Sequence, residues 1–370
     1  MSRASWRRAI ARGLAGAALL AGVAPVARAQ GAAGPGLDPA ADPAMSATLA
    51  SLPPYQAGPR VAGTIRIWGH GSPTHDFVGD LVRRWFAGFH RSQPDVALDY
   101  RMYGTASAVG ALATGAATLA ILGEEISPDA QRLFRRARGY APTEVDVANG
   151  SRDANYFDYA HMIFVNRANP LTGLTLRQLE AVFGAEHRCT RRNLRQWGDL
   201  GLKGDWARRP ITPYAWKTDV DFALFFRERV LCGSHRWNPA TREFMPVTRP
   251  DGTVVQHGQL ILEALAKDRY GIAISNIRFA NPAVRALPLA WRAKGGFTMA
   301  DPASLIARTY PLGRIIPAYV DVPPGGHVGP AEREFLRYIL SRKGQQALAE
   351  ASGYLPLDRA SQTRALAVLR

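Results

Sequence analysis

Three short polar turns, each placed after a strand-like segment, hold the residues best suited to bind an anion. These residues are Gly71, Ser72 and Thr74 in the first turn, Thr105 and Ser107 in the second, and Lys217 and Thr218 in the third. Open α/β sheets bind ligands at the carboxyl ends of their strands, and the free N–H groups of helix starts favour anions. Each turn taken alone is better explained as a helix N-cap and tight turn. Together the three indicate an oxyanion cradle.

The motifs that mark common enzymes are missing from the sequence. There is no Gly-x-Ser-x-Gly elbow, no Walker loop, no dinucleotide-binding glycine pattern and no pair of zinc-spaced histidines. The acidic pair Glu124-Glu125 follows an apolar segment, where it could serve as acid and base or as helix-entry acids favoured by the helix dipole. We therefore expect a binding protein with no catalytic residues, no metal site and no cofactor.

Strand-like and helix-like segments alternate along the chain and predict an α/β fold with a mostly parallel sheet. We predict strands at 64–68, 96–102, 119–122, 162–165, 211–215 and 271–274. We predict helices at 76–90, 105–114, 128–137, 175–183, 221–231, 259–266 and, as one long helix, 331–350. Residues 30–60 are rich in Ala, Gly and Pro without an apolar period, and are predicted to form an N-terminal arm.

Residues 1–29 have the pattern of a cleavable signal peptide, with a basic start, a short apolar run and small residues before the cut expected after Ala29. The apolar run is too short to span a membrane. Removing this segment removes five arginines and no acids, which lowers the net charge from +16 to +11. A net positive charge favours binding to nucleic acid, to an anionic membrane surface or to a small anion. Export argues against nucleic acid and predicts a soluble periplasmic protein.

The sequence contains two cysteines, Cys189 and Cys232. In an oxidising compartment an even count predicts one disulfide, and the alternative is two buried free thiols.

Several motifs from about Leu52 to Leu357, nearly the whole mature chain, resemble the phosphate-binding proteins of ABC importers, in the type II periplasmic binding protein superfamily. Those motifs include Tyr103-Gly104-Thr105, the run from Asn169 to Phe183, Trp197-Gly198-Asp199-Leu200-Gly201 and Gly353-Tyr354-Leu355-Pro356-Leu357. The two cysteines also look like the pair found in one branch of the family.

The resemblance implies two α/β lobes joined by crossing hinge strands, with the ligand in a central cleft that closes around it. It places 61–156 and 274–370 in lobe 1 and 157–273 in lobe 2. It also implies a monomer that hands its ligand, phosphate or a related oxyanion, to a membrane ABC permease. The acid Glu124 would take the place of a family Asp that accepts the proton of hydrogen phosphate.

The sequence departs from the family pattern at the third turn. The family carries an Arg and then Ser-Gly-Thr there, whereas this chain has Val220-Asp221-Phe222 or, with a gap, Trp216-Lys217-Thr218. Neither alignment restores the Arg. Two functions stay open: an oxyanion-binding importer component, or a diverged module that binds another solute or a protein partner as a sensor or assembly factor.

Overall fold

The computed structural model describes residues 42–71, 78–154 and 158–369. In chain order the strands are β1 (Gly63–Gly69), β2 (Val96–Arg101), β3 (Leu119–Ile121), β4 (Thr143–Ser151), β5 (Met162–Asn166), β6 (Leu174–Thr175), β7 (Thr212–Trp216), β8 (Arg242–Phe244), β9 (Val247–Thr248), β10 (Val254–Val255), β11 (Gly271–Ser275), β12 (Val284–Ala286), β13 (Leu289–Ala290), β14 (Ile315–Val320) and β15 (Tyr354–Leu355). The helices are α1 (Pro43–Ser51), α2 (Gly79–His90), α3 (Thr105–Thr114), α4 (Pro128–Arg138), α5 (Leu176–Phe183), α6 (Asp221–Val230), α7 (His257–Lys267), α8 (Pro302–Ile306), α9 (Pro330–Ile339), α10 (Arg342–Ala351) and α11 (Arg359–Val368).

Two large sheets organise most of these elements, and β9–β10 and β6–β13 form two-stranded pairs. The first has the strand order β15-β4-β14-β3-β1-β2, and the second has the order β12-β5-β11-β7-β8. In the first sheet β3, β1 and β2 run parallel, so their carboxyl ends meet at one edge. The chain passes to the second sheet after β4 and returns to the first at β14. The two-lobed α/β arrangement is as predicted, but the prediction of a mostly parallel sheet is wrong. Both sheets are mixed, because β14 pairs antiparallel with β3 and β4, and β5 pairs antiparallel with β11 and β12.

Each sheet is covered by helices whose apolar faces form its core. The large side chains Trp85, Phe89 and Phe335 pack on the first sheet, and Phe183 and Phe226 pack on the second. The lobe boundary near residue 274 stays a prediction. The second sheet continues past that residue to β12, and β13 pairs with β6.

The predicted N-terminal arm contains a helix that we did not expect. Asp42 caps α1 by accepting a hydrogen bond from the N–H of Met45, and Pro43 occupies the first turn. Met45, Leu49 and Leu52 are buried. The predicted arm thus includes a helix at 43–51, which the sequence did not indicate because three apolar residues on one helical face are too few to show a period.

The prediction of one helix over 331–350 is also wrong, since the structure divides it into α9 and α10. The backbone N–H of Arg342 donates to Pro53 O at 2.9 Å rather than continuing the helix. The Ser341 hydroxyl caps α10 by accepting from the N–H of Gly344. The residues after α1 thus interrupt the hydrogen-bond ladder, which is a long-range contact that sequence periodicity does not show.

The signal peptide predicted over 1–29 lies outside the described residues. Within 42–71, 78–154 and 158–369, none of the helices has both the length and the apolar character needed to cross a bilayer.

Cys189 and Cys232 form a disulfide, as predicted, across 43 positions of sequence. The buried carboxylate of Glu180 supports the same loop by accepting from the backbone N–H groups of Cys189 and Thr190, both at 2.8 Å.

We expect the double variant Cys189→Ser/Cys232→Ser to lose about 2–4 kcal/mol of unfolding free energy, since a bridge across such a loop restricts the unfolded chain. Urea unfolding under non-reducing conditions measures the loss. Wild-type protein treated with a reductant is the control and should match the variant. An unchanged unfolding midpoint in both samples would contradict this expectation.

Candidate functional site

The carboxyl ends of β1, β2 and β3 bring the first two predicted turns together. His70 follows β1, and its Nδ1 lies 3.4 Å from Thr105 Oγ1 at the start of α3. The His70 ring also lies against Gly123, just after β3. Three loops that are far apart in sequence therefore converge at this edge of the first sheet.

The first backbone N–H groups of α3 are not covered by a capping side chain. Gly104 has φ +110°, a conformation that residues with a Cβ rarely adopt, and no side chain caps the helix. The first N–H groups of a helix have no partner within it, so they favour an anion. The hydroxyl of Ser107 donates back to Gly104 O at 2.8 Å and so steadies the turn.

Gly71 lies close to this turn, where a Cβ would sit 2.6 Å from the Cβ of Met102. Only glycine fits that space without moving the strand end. Ser72 and Thr74, which we predict to contact the ligand, lie outside the described residues. The structure thus brings together Gly71, Thr105 and Ser107, and their contacts with a ligand stay a prediction.

Arg314 lies just before β14, and only 3% of its surface is exposed. Its Nε donates to Glu125 at 2.8 Å, and its two Nη atoms lie 3.3 Å from Asp158 and 3.8 Å from Glu124. Burial alone would lower the pKa of Arg314, but these three carboxylates outweigh it and raise the pKa. The guanidinium therefore stays charged and holds the loop after β3 in place.

The same guanidinium reaches the second lobe. Its carbon lies 4.3 Å from the centre of the Phe225 ring on α6, which is a cation–π contact. The predicted anion-facing acid Glu124 is half-buried beside Arg314. The Arg314 guanidinium thus contacts the β3–α4 loop, Asp158 and α6.

The third turn, between β7 and α6, faces the start of α4. A cavity of about 330 Å³ separates them, lined by Thr218 and Val220 on one side and by Ser127 and Pro128 on the other. The Thr218 hydroxyl donates to Glu243 at 2.7 Å. Lys217 is exposed and pairs with Asp219 at 2.8 Å. Of the two residues predicted here, Thr218 lines this cavity, and the ligand role of both stays a prediction.

Aromatic side chains pack around Phe222, which follows the third turn in the sequence. Phe222 stacks on Tyr159 with ring centres 5.1 Å apart, and it packs 5.6 Å from Trp216 and 5.4 Å from His257. The fully buried His161 lies 4.5 Å from Trp216. Burial lowers the pKa of His257 to about 4. Burial, aided by the charge of Arg314, also lowers the pKa of His161 well below its usual value. Both histidines are therefore neutral at pH 7.

The phosphate-binding protein PstS of Pseudomonas aeruginosa is 29% identical over 316 residues, which cover 85% of this chain and 89% of that protein. The chain is homologous to PstS. The protein SphX of Synechococcus elongatus is 24% identical over 245 residues, or 60% of this chain and 66% of that one. No protein-family model matches the sequence.

A solved structure supports the same fold. PstS from Borrelia burgdorferi superposes with a TM-score of 0.53, covering 80% of this chain and 99% of that chain, at 14% identity. The resemblance to the binding proteins of phosphate importers is therefore confirmed at the level of homology and of fold.

Sequence reasoning missed Arg314 and the two buried rings of His161 and Trp216. No motif surrounds Arg314, and its partners lie more than 150 positions away. The sequence showed that Phe222 departs from the family pattern at the third turn. It did not predict that Phe222 would lie at the centre of an aromatic cluster.

We expect Arg314→Met to lose about 3–5 kcal/mol of unfolding free energy, because it leaves three close carboxylates without their cation. Arg314→Lys should lose less, since it keeps the charge but not the planar fork. Arg132→Met is the control, because Arg132 forms only an exposed pair with Asp129. Urea unfolding measures all three, and a loss below about 1 kcal/mol for Arg314→Met would refute the central role of this charge.

The two neutral histidines predict how stability depends on pH. Their folded pKa values lie below the unfolded value near 6.5, so the unfolded chain binds protons first. Stability should therefore fall as the pH drops from about 6.5 towards 4. His257→Gln should reduce that fall, and the exposed control His235→Gln should not. Thermal unfolding between pH 7.5 and 4.5 tests this, and equal slopes in all three proteins would contradict it.

Proposed function

We propose that this protein binds phosphate or a related oxyanion in the periplasm and hands it to a membrane ABC permease, without catalysing a reaction. Homology to PstS across 85% of the chain supports the class of ligand. A monomer fits this role, because the cleft lies between two lobes of one chain.

The main support for the proposal is that no side chain caps the first backbone N–H groups of α3. This helix start lies where the ends of β1, β2 and β3 converge, with Gly71 and the hydroxyl of Thr105 beside it. Open backbone and a hydroxyl at a helix start supply hydrogen-bond donors without a net positive charge. Such a site suits a tetrahedral oxyanion, which can accept several hydrogen bonds at once.

Glu124 gives the site a means to select its ligand. Its carboxylate can accept the proton that hydrogen phosphate still carries near neutral pH, whereas sulfate has no proton to donate. A fully ionised anion would instead face a carboxylate in a closed cleft, which is unfavourable. We therefore propose that Glu124 favours phosphate over sulfate.

We expect Thr105→Val to weaken phosphate binding about tenfold or more, because a hydrogen bond to a charged group contributes about 1.5–3 kcal/mol. Thr114→Val is the matched control, since Thr114 ends the same helix and its hydroxyl donates to Gly110 O. Isothermal titration calorimetry with inorganic phosphate at pH 7 measures both. Equal affinities in the two variants would remove Thr105 from the site, and no phosphate binding by the wild type would overturn the proposed ligand.

A further inference from the structure

We propose that a groove between α2 and α10, on the helices that cover the first sheet, binds an extended anion with several adjacent phosphate groups. The groove has a volume of about 320 Å³ and is open to solvent. The residues that line it lie on α2, α9 and α10 or directly after α2, whereas the three predicted turns follow β1, β2 and β7. The inference therefore adds a second site and does not depend on the proposed function.

Three cations line the groove. Arg84 and Arg91 come from α2 and the position after it, and Lys343 comes from the first turn of α10. Within the ranges that the structure describes, none of these three side chains forms an ion pair or a hydrogen bond. The one acid among the described lining residues, Glu350, accepts a hydrogen bond from Gln346 at 2.9 Å. The groove thus keeps an excess of positive charge that an anion can neutralise.

A hydroxyl lies at the bottom of the groove. Tyr338 on α9 is only 4% exposed, and its Oη lies so close to Gly88 that a Cβ on this glycine would sit 1.8 Å from it. In the described part of the chain this hydroxyl has no hydrogen-bond partner. Buried polar groups in native structures nearly always have one. Burial raises the pKa of Tyr338, so at pH 7 the hydroxyl is protonated and can donate a hydrogen bond to an anion.

The shape of the groove favours a long anion over a single phosphate. Its floor includes the small residues Ala87, Gly88 and Ala347, which leave room for a ligand close to both helices. Arg84 and Arg91 are seven positions apart, or about 10 Å along a helix that rises 1.5 Å per residue. One phosphate at either end would leave the other arginine without a partner. Linked phosphates, or neighbouring phospholipid headgroups, place negative charge along the whole groove, where each arginine can bind it with its planar fork.

Isothermal titration calorimetry with tripolyphosphate at pH 7 and physiological ionic strength tests the inference. The wild type should bind it at one site, and Arg84→Ala/Arg91→Ala should weaken binding about tenfold or more, because each arginine supplies hydrogen bonds to a charged group. Tyr338→Phe keeps the ring and should weaken binding about tenfold for the same reason. Arg135→Ala/Arg136→Ala is the matched control, since it removes two exposed arginines from α4, and it should leave the affinity unchanged.

Vesicles distinguish the two sources of this chemistry. If phosphatidylglycerol vesicles sediment the wild type but not Arg84→Ala/Arg91→Ala, and tripolyphosphate does not bind, the groove takes lipid headgroups. If tripolyphosphate binds and the vesicles do not sediment the protein, the groove takes a soluble chain of phosphates. Either result supports the site.

Three outcomes would overturn the inference. An equal loss in the α4 control would show only a general attraction to a basic protein. An unchanged affinity in Tyr338→Phe would remove the hydroxyl from the site, and no binding of either probe to the wild type would remove the site itself. Thr105→Val should leave tripolyphosphate binding unchanged, so this groove and the proposed oxyanion site are tested separately.

Discussion

The guanidinium of Arg314 is buried between the two lobes, and a buried charge is stable only where other charges and hydrogen bonds replace water. Glu125 and Asp158 supply that replacement directly, with Glu124 at 3.8 Å. Phe225 covers the face of the guanidinium. Because these partners come from the β3–α4 loop, from the segment after β4 and from α6, satisfying one charge fixes three segments of the chain.

The two halves of the proposed cleft differ in the residues that lie near that charge. The first half keeps an open helix start, glycine turns and hydroxyls, which are donors suited to an anion. The second half has Phe222, Trp216 and two neutral histidines, with Arg314 already committed to its carboxylates. We propose that the first half, with its open donors, attracts the oxyanion.

Much of the fold could be predicted from the sequence, because local patterns determine it. The bounds of α3 were correct at both ends, since Gly104 and Gly115 flank it and each adopts a conformation that favours glycine. The α9–α10 break could not be predicted in this way, because it depends on Pro53 accepting from Arg342, almost 290 positions later. The site shows the same limit. The donor-rich turns could be predicted from local spacing. The role of Arg314 could not, because its carboxylate partners are distant in sequence.

The proposal that the start of α3 binds the anion can be tested most directly by a crystal structure with inorganic phosphate bound. We predict that the phosphate oxygens lie within hydrogen-bonding distance of the first N–H groups of α3 and of the Thr105 hydroxyl. A phosphate held instead by Lys217 and Thr218, away from the start of α3, would contradict the account.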